Sequence, residues 1–243
     1  MSDIYNKMIK MIHEDMELAT DDEMSVISED NNRITIWDYY NDDIDRTYTL
    51  TDPDIIDKDY VKDRIIITKS ADDLIDIDKD MISEYLCEYA KNTLINLEEI
   101  IFINDYDKDF EELYKRKDGY NWQEILEVND LPTDNELGIM WFERSMVVVN
   151  IGEILKNAEE MAKSGDIYPE DIPKETGIGI ITTLLHELRH IEQANPYMPA
   201  IEFDQISMDP EADAEEYARN CYDMHPIDIM NDKDYENDLD LYV

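Results

Sequence analysis

Residues 182–196 read TTLLHELRHIEQANP, and the prediction of the fold depends on this stretch more than on any other. Two of the four histidines in the chain, His186 and His190, lie here, four residues apart. Apolar residues recur around them with helical spacing, which predicts a helix from about residue 173 to residue 194. On that helix the two histidines share one face, while most isoleucine and leucine side chains point the other way.

The histidine face of the predicted helix also carries small and polar residues, namely Gly179, Thr182, Thr183 and Gln193. A histidine that only fills a core lies among aliphatic side chains, and these two histidines do not. The pattern therefore indicates the wall of a cleft rather than interior packing.

The four-residue spacing of the histidines has a chemical reason, because residues i and i+4 are one turn apart and both imidazoles can bind one ion. Zinc takes histidine nitrogens in a tetrahedral shell, and catalytic zinc sites combine three protein ligands with a water molecule. Glu187 projects beside such an ion and can accept the proton of that water. HELRH is thus an HExxH motif, which is typical of zinc metallopeptidases.

A third ligand is expected in the acidic segment SMDPEADAEEYARNCYDMHP, residues 207–226. Asp209 followed by Pro210 predicts the start of a second helix, with the aspartate as N-cap and the proline in the first turn. The carboxylate of Asp209 is then occupied by backbone N–H groups. This second helix is expected to bury Ala214, Tyr217, Ala218 and Cys221.

Among the acids of the second helix, Glu211 falls on the edge that faces inward, whereas Asp213 and Glu216 fall further round. We therefore predict Glu211 as the third zinc ligand beside the two histidines. Glu215 lies one turn later and is predicted to hydrogen-bond a ligand histidine without binding the metal itself. The expected cofactor is one Zn²⁺ ion per chain.

HELRH at 186–190, followed by EADAE at 211–215, resembles the zinc site of the gluzincin peptidases. The segment EADAEEYA is similar to the E-A-D/N-x-F-A segment of small gluzincins such as the ImmA/IrrE-type proteins. The resemblance covers residues 138–225 and implies zinc, a bilobed cleft and peptide-bond hydrolysis with Glu187 as general base. It also implies that a strand along the cleft, GIMWFE or SMVVVNI, pairs with the substrate backbone.

The residue that would stabilise the oxyanion stays open among His225, Tyr217 and Tyr197. Classical gluzincins supply it from a larger C-terminal domain, which this sequence is not expected to have. Peptide deformylases also use HExxH, but they need an upstream cysteine ligand, and Cys87 lies in no such motif.

The rest of the chain predicts an α+β fold, with a small mixed or antiparallel sheet packed on helices. Strands are expected at residues 33–40, 43–52, 64–70, 98–105, 138–143 and 145–151. Helices are expected at residues 1–20, 79–97, 107–116, 121–127 and 152–163. Residues 21–32 are predicted to be a turn or loop.

With the active-site helix and the ligand helix that follows it, this arrangement resembles a zincin. We assign residues 1–60 to an N-terminal segment of unknown role, and residues 61–243 to a zincin-like metallopeptidase domain. Two acidic runs imitate calcium-binding loops but lack the glycine and the bidentate glutamate of an EF-hand, so we interpret them as solvated acids. These runs are Asp76, Asp78, Asp80 and Asp105, Asp107, Asp109.

The 243-residue chain has 62 aspartates and glutamates against 21 lysines and arginines, for a net charge of −41. Such a chain repels the phosphates of nucleic acid and of anionic membranes, so neither is an expected partner. The expected partner is a peptide or protein substrate, with a basic protein as a further possibility. No apolar run is long enough to span a membrane and no signal peptide is evident, so a cytoplasmic location, of a cell or of a host, is expected.

Cys87 and Cys221 have no CxxC spacing and are expected to be free thiols. The function that these patterns favour is a zinc-dependent metallopeptidase. One alternative is a catalytically inactive zincin-fold protein that works by binding. The other is an acidic interaction protein or DNA mimic in which HExxH is incidental, and bound metal would separate it from the first two.

Overall fold

The computed structural model of the chain describes residues 24–30, 33–38, 43–49, 54–116, 121, 122, 126, 136–141, 145–194 and 209–230. Within this part of the chain, the protein is an α+β structure built from helices and two sheets. One sheet has three antiparallel strands, and the other has four strands of mixed direction. The predicted class, a small mixed sheet packed on helices, is confirmed at this level.

The N-terminal sheet has the strand order β1-β2-β3, with strands Met24–Asp30 (β1), Arg33–Asp38 (β2) and Asp43–Thr49 (β3). Antiparallel pairing of β2 with β3 confirms the hairpin predicted from the alternating sequence. The prediction of a turn or loop at residues 21–32 is wrong for residues 24–30. Pairing with β2 supplies backbone hydrogen bonds along this segment, and such pairing outweighs the local preference of its polar residues.

The central sheet contains the strands Ile65–Ile67 (β4), Glu99–Ile103 (β5), Gly138–Trp141 (β6) and Met146–Asn150 (β7). Its order is β4-β5-β7-β6, in which β4, β5 and β7 are parallel and β6 pairs antiparallel with β7. Every residue of the interior strands β5 and β7 is buried, which explains the apolar runs at residues 100–103 and 146–149. β6 lies at the edge, where no other described strand pairs with its outer side.

The described helices are Lys58–Lys62 (α1), Lys69–Leu74 (α2), Lys79–Tyr89 (α3), Tyr106–Tyr114 (α4), Ile151–Ser164 (α5), Ile172–Ala194 (α6) and Pro210–Met224 (α7). Short 3-10 helices lie at Lys91–Asn96 and Pro169–Asp171. The helices predicted at 107–116, 152–163 and 173–194 are confirmed. The helix predicted at 1–20 and most of that at 121–127 lie outside the described residues.

The prediction of one continuous helix over residues 79–97 is wrong. α3 stops before Ala90, whose backbone leaves the helical region at φ −127° and ψ 22°, and a 3-10 helix follows. The hydroxyl of Thr93 donates to the carbonyl of Ala90 at 2.7 Å and favours this break. After the break, Leu94, Ile95 and Leu97 are all buried in the core. A straight helix could not bury all three on the same face as the apolar residues of α3.

Both faces of the central sheet are covered, and alternate strand residues point to opposite sides. Phe102 and Val147 face the larger core, to which α3, α5, α6 and α7 contribute. Ile101 and Val148 face a smaller core that contains Trp122. α6 therefore packs on the larger-core face, with a buried side made of Ile181, Leu184, Leu185, Leu188 and Ile191.

The proposed division at residue 60 falls within α1, and Ile56 ahead of it is already buried in the larger core. The assignment of two regions stays a prediction. Among the described helices, none combines the length and the apolar character that crossing a bilayer requires. Cys87 and Cys221 are free thiols, as predicted.

The acids that imitate calcium loops have structural roles. Asp78 caps the N-terminus of α3 by accepting the N–H of Met81 at 2.9 Å. Asp109 is fully buried, and one of its carboxylate oxygens accepts the N–H groups of Asn104 at 2.7 Å and Asp105 at 2.8 Å. The interpretation as solvated acids is therefore wrong for Asp109, which closes the end of β5 against α4.

Candidate metal centre

α6 presents His186 and His190 on the side that the core does not cover. Its opposite side is packed against the sheet and the neighbouring helices, so the rotation of the helix is set by burial of its apolar residues. The histidine side chains remain 23% and 15% exposed. Both lie in the wall of an open cleft. Of the small and polar residues that predicted this wall, Gln193 lines the cleft, whereas Gly179 packs against Ile154 of α5.

The two imidazoles meet edge to face, with ring centroids 4.6 Å apart. The Nε2 atoms of His186 and His190 are separated by 3.0 Å. Each nitrogen lies 3.4 Å from Glu211, that of His186 from Oε2 and that of His190 from Oε1. The structure thus brings together the three residues that the sequence predicted as ligands, in a group able to hold a metal ion.

The donor atoms of this group have the spacing that a tetrahedral ion requires. Ligand distances of about 2.0–2.1 Å around zinc place neighbouring ligand atoms about 3.3 Å apart. The separations of 3.0, 3.4 and 3.4 Å lie close to that value. The two 3.4 Å separations involve different oxygens of Glu211, so each histidine faces its own carboxylate oxygen. Two imidazoles and one carboxylate group are also the donor set of catalytic zinc sites that keep a further position open. The residues therefore fit a zinc ion.

Glu211 reaches the histidines because of where α7 begins. Asp209 is the N-cap, as predicted, and its carboxylate accepts the N–H of Glu211 at 3.2 Å and of Ala212 at 3.4 Å. Glu211 therefore stands in the first turn, at the end of α7 that approaches α6. Its side chain is 75% exposed, so it faces the cleft and not the interior. The burial predicted further along α7 holds for Ala214, Ala218 and Cys221.

Local electrostatics favour the uncharged imidazole that a metal requires. Burial of His186 lowers its pKa, and the neighbouring His190 lowers it further. The carboxylate of Glu211 acts in the opposite direction, but the pKa of His186 remains below its ordinary value. The imidazole of His186 is therefore more readily uncharged than an ordinary histidine.

Glu187, the predicted general base, is a buried carboxyl group with only 8% of its surface exposed. Burial and the nearby charge of Glu211 raise the pKa of Glu187 to about 7. A bound cation acts in the opposite direction, because it stabilises the ionised form. A carboxyl group that titrates near neutral pH beside a metal site is suited to accept and return a proton.

A cleft with a volume of about 520 Å³ separates the edge strand β6 from the ligand residues. One wall consists of Gly138, Ile139 and Met140 from β6. The opposite wall consists of His186, Glu187, His190 and Gln193 from α6, with Glu211 from α7. Of the two segments named as candidate cleft strands, GIMWFE lines the cleft, whereas SMVVVNI forms the interior strand β7.

The candidates for oxyanion stabilisation do not line this cleft in the described part of the chain. His225 stacks on Tyr89, with ring centroids 3.8 Å apart. Tyr217 is partly buried under the guanidinium group of Arg189, whose carbon lies 5.2 Å from the ring centroid. Tyr197 lies outside the described residues. Neither His225 nor Tyr217 is therefore placed to stabilise an oxyanion in this cleft.

Gln193, which was not predicted as a partner of either histidine, contacts His190. Gln193 Oε1 lies 2.8 Å from Nδ1 of His190. Glu215, predicted for such a role, is exposed, and no hydrogen bond joins it to either histidine among the described residues. The signal was present, because Gln193 follows His190 by three residues and shares its face of the helix.

Gly138 was also missed as a residue of the site. A β-carbon at this position would lie 2.6 Å from Cγ2 of Thr183, far inside van der Waals contact. The absence of a side chain lets β6 approach α6 closely. Glycine inside a strand commonly marks such an approach, and this was the available signal.

No protein-family model, no curated protein and no solved structure matches this chain. Any function must therefore be argued from the geometry and chemistry of the site itself.

Proposed function

We propose that this protein is a zinc-dependent metallopeptidase with a zincin-like arrangement of its ligand helices. The observation that carries the proposal is the convergence of His186, His190 and Glu211 at separations of 3.0–3.4 Å. Glu187, a buried carboxyl group, lines the same cleft. An incidental HExxH does not require a carboxylate from another helix to lie within 3.4 Å of both histidines.

When bound, zinc supplies a Lewis acid for peptide hydrolysis. His186, His190 and Glu211, which all line the cleft, would hold the ion. Glu187 accepts a proton from the attacking water and passes it to the leaving amine nitrogen. The raised pKa of this carboxyl group, about 7 without metal, keeps both proton transfers accessible near neutral pH.

The shape of the cleft supports an extended peptide as the substrate. β6 is an edge strand whose backbone runs along the cleft, and an extended segment can add to such an edge through main-chain hydrogen bonds. Binding of this kind depends on the backbone and tolerates many side chains. We therefore propose peptide or protein substrates and not a single small metabolite.

Charge supports a preference among such substrates. The described carboxyl groups that line the cleft are those of Glu187 and Glu211, and the chain carries a net charge of −41. A basic peptide or basic protein is attracted to this surface, whereas nucleic acid and anionic membranes are repelled. We place the protein in the cytoplasm of a cell or of a host, where its two thiols stay reduced.

The test begins with zinc content in protein purified without added metal. We expect close to one zinc per chain in the wild type and far less in His186→Ala and Glu211→Ala. His225→Ala and Glu216→Ala are matched controls, because these residues lie outside the cleft, and both should retain zinc. Wild-type protein that binds no zinc would reject the proposal and favour an acidic interaction protein.

Activity is tested on unstructured protein and on peptide mixtures, with the products identified by mass spectrometry. We expect cleavage by the wild type and no cleavage by Glu187→Gln, which should keep its zinc. Wild-type protein that holds zinc and cleaves nothing would favour an inactive zincin-fold protein that works by binding.

A further inference from the structure

Gln193 uses both ends of its side-chain amide at the junction of α6 and α7. Its Oε1 lies 2.8 Å from Nδ1 of His190. Its Nε2 lies 2.9 Å from the carbonyl oxygen of Pro210 and 2.8 Å from Oδ2 of Asp213. One side chain on α6 therefore contacts a ligand histidine and also the first turn of the helix that carries Glu211.

These partners determine which way the amide of Gln193 points. A backbone carbonyl and a carboxylate only accept hydrogen bonds, so the group that faces them must be the amide NH₂. The amide oxygen then faces His190, and Nδ1 of that ring must carry the proton. In a neutral imidazole this leaves Nε2 of His190 unprotonated, with its lone pair directed at the other two ligands.

Asp213, the carboxylate end of this arrangement, is itself fixed by an ion pair. Nε of Arg189 donates to its Oδ2 at 2.8 Å, and Nη1 of Arg189 donates to Glu192 at 2.6 Å. The side chains of these three residues are 13% exposed or less. A largely buried series of hydrogen bonds therefore begins at Glu192 and Arg189 on α6 and reaches Asp213 on α7. From Asp213 it returns through Gln193 to His190.

Gln193 also acts on the third ligand through the backbone. Pro210, whose carbonyl accepts the amide N–H, immediately precedes Glu211. The side chain of Glu211 is 75% exposed, so packing of the side chain itself does little to hold it. The hydrogen bond to Pro210 instead holds the turn from which Glu211 reaches both histidines.

We propose that Gln193 is the positioning residue of this site, which holds His190 in the Nδ1–H tautomer and fixes the turn that presents Glu211. The inference rests on the proposed zinc site, but it concerns hydrogen bonds of the chain itself. It transfers to Gln193 the role that the sequence predicted for the exposed Glu215. Partners that orient a ligand histidine typically contribute about 10–100-fold to metal affinity.

The first test is the tautomer of His190 in metal-free protein, read from proton–nitrogen NMR of the imidazoles. Spectra at about pH 8 report neutral rings, because the ordinary histidine pKa is about 6.5. The chain has four histidines, so His190→Ala identifies the relevant signals. We expect the Nδ1–H tautomer in the wild type and a shift towards Nε2–H in Gln193→Leu, which keeps a similar size without polar groups.

An Nε2–H tautomer in the wild type, or an unchanged Nδ1–H tautomer in Gln193→Leu, would overturn the inference. Gln193→Glu separates its two parts, since it keeps an acceptor for His190 and loses both donors. We expect this variant to retain the Nδ1–H tautomer and to bind zinc more weakly. Gln193→Ala, which also lacks an acceptor for His190, takes the place of Gln193→Leu if that variant fails to fold by circular dichroism.

The second test is zinc affinity, measured by competition with a chelator. We expect Gln193→Leu to lose about 10–100-fold in affinity. Glu215→Gln is the comparison variant, and we expect it to lose clearly less than Gln193→Leu. Its charge acts on His186, but no hydrogen bond joins its side chain to either histidine among the described residues. Equal losses in the two variants, or no loss in Gln193→Leu, would contradict the assignment. Neither test measures peptide cleavage. A protein that binds zinc but cleaves no peptide would therefore contradict the proposed function and leave the role of Gln193 unaffected.

Discussion

Gly138 on the edge strand lies directly against Glu187 on the ligand helix. A β-carbon built on Gly138 would stand 3.0 Å from Cγ of Glu187 and 3.1 Å from its Oε1. The carboxyl group that we propose as general base is thus held between its own helix and a strand backbone. Its position depends on the absence of one methyl group at residue 138.

Gly138→Ala is expected to reduce peptide cleavage at least about tenfold while zinc content stays near the wild-type value, because a displaced catalytic group loses much of its effect. The new methyl group must push back Thr183 Cγ2, which it would approach to 2.6 Å, and then the side chain of Glu187. Crowding of this kind also costs about 1–3 kcal/mol of unfolding free energy.

Thr183→Ser removes the methyl group that meets the new β-carbon most closely, so the double variant tests the cause. We expect Gly138→Ala with Thr183→Ser to recover part of the stability and part of the activity. Full activity in Gly138→Ala alone would show that the approach of β6 does not position Glu187. Cleavage kinetics, zinc content and thermal unfolding measure the three effects separately.

Glu187 should make the stability of the metal-free protein depend on pH. Its pKa is raised from 4.5 to about 7, so between these values the folded protein holds a proton that the unfolded chain has lost. The folded state then binds more protons, and its stability falls as pH rises from about 4.5 to about 7. A shift of this size corresponds to roughly 3 kcal/mol.

Glu187→Gln removes this titration, and the difference between wild type and variant cancels the general charge repulsion of an acidic chain. We expect the variant to gain stability over the metal-free wild type as pH rises through that window, with no further gain above it. Urea unfolding in chelator at a series of pH values measures the difference. Parallel curves for the two proteins would contradict the raised pKa.

Asp109→Ala should lower the free energy of unfolding by about 2–4 kcal/mol, because three hydrogen-bond donors lose the buried carboxylate that accepts them. The N–H groups of Asn104 and Asp105 lose their acceptor, as does the hydroxyl of Ser70 at 2.5 Å. Glu111→Ala, an exposed acid on the same helix, is the control and should cost less than about 0.5 kcal/mol. Zinc content should not change in either variant, and comparable stability of the two would contradict the capping role.

Substitution of Gly179 tests how closely α6 packs against α5. A β-carbon at Gly179 would lie 2.6 Å from Cγ2 of Ile154. Alanine normally favours a helix over glycine by about 1 kcal/mol. Here we expect Gly179→Ala to destabilise by about 1–3 kcal/mol instead, because the methyl group cannot fit.

Ile154→Ala removes the obstructing methyl group, so the two substitutions should not be additive. We expect Ile154→Ala alone to cost about 2–5 kcal/mol and the double variant to cost clearly less than the sum. Chemical denaturation of the four proteins gives the coupling energy. Additive costs would mean that the two helices do not meet at these residues.

The elements that the sequence predicted well are those with a strong local signal. β5 and β7 each contain a run of four apolar residues, and each strand is buried along its whole length. α7 begins where Asp209 and Pro210 indicated, since N-capping involves only residues close in sequence. Local signals failed at residues 24–30, where partner strands supply the hydrogen bonds, and after Ala90, where the core needs a break in the helix.

The candidate site divides in the same way. The four-residue spacing of His186 and His190 by itself determined that both would lie on one face of the helix, because helix geometry is local. It also determined that Glu187, the next residue after His186, would lie beside that face. The capping signal at Asp209 likewise determined that Glu211 would stand in a first turn. These relationships are carried by a few consecutive residues and need no knowledge of the rest of the fold.

Only the tertiary structure decided the distances between elements. The approach of Glu211 to 3.4 Å from both histidines depends on how α7 packs on α6, and the choice of Gln193 over Glu215 depends on the same packing. The contact of Gly138 with Glu187 depends on β6 being placed at the edge of the sheet. Such distances follow from the burial of a shared core, to which residues far apart in the chain contribute together.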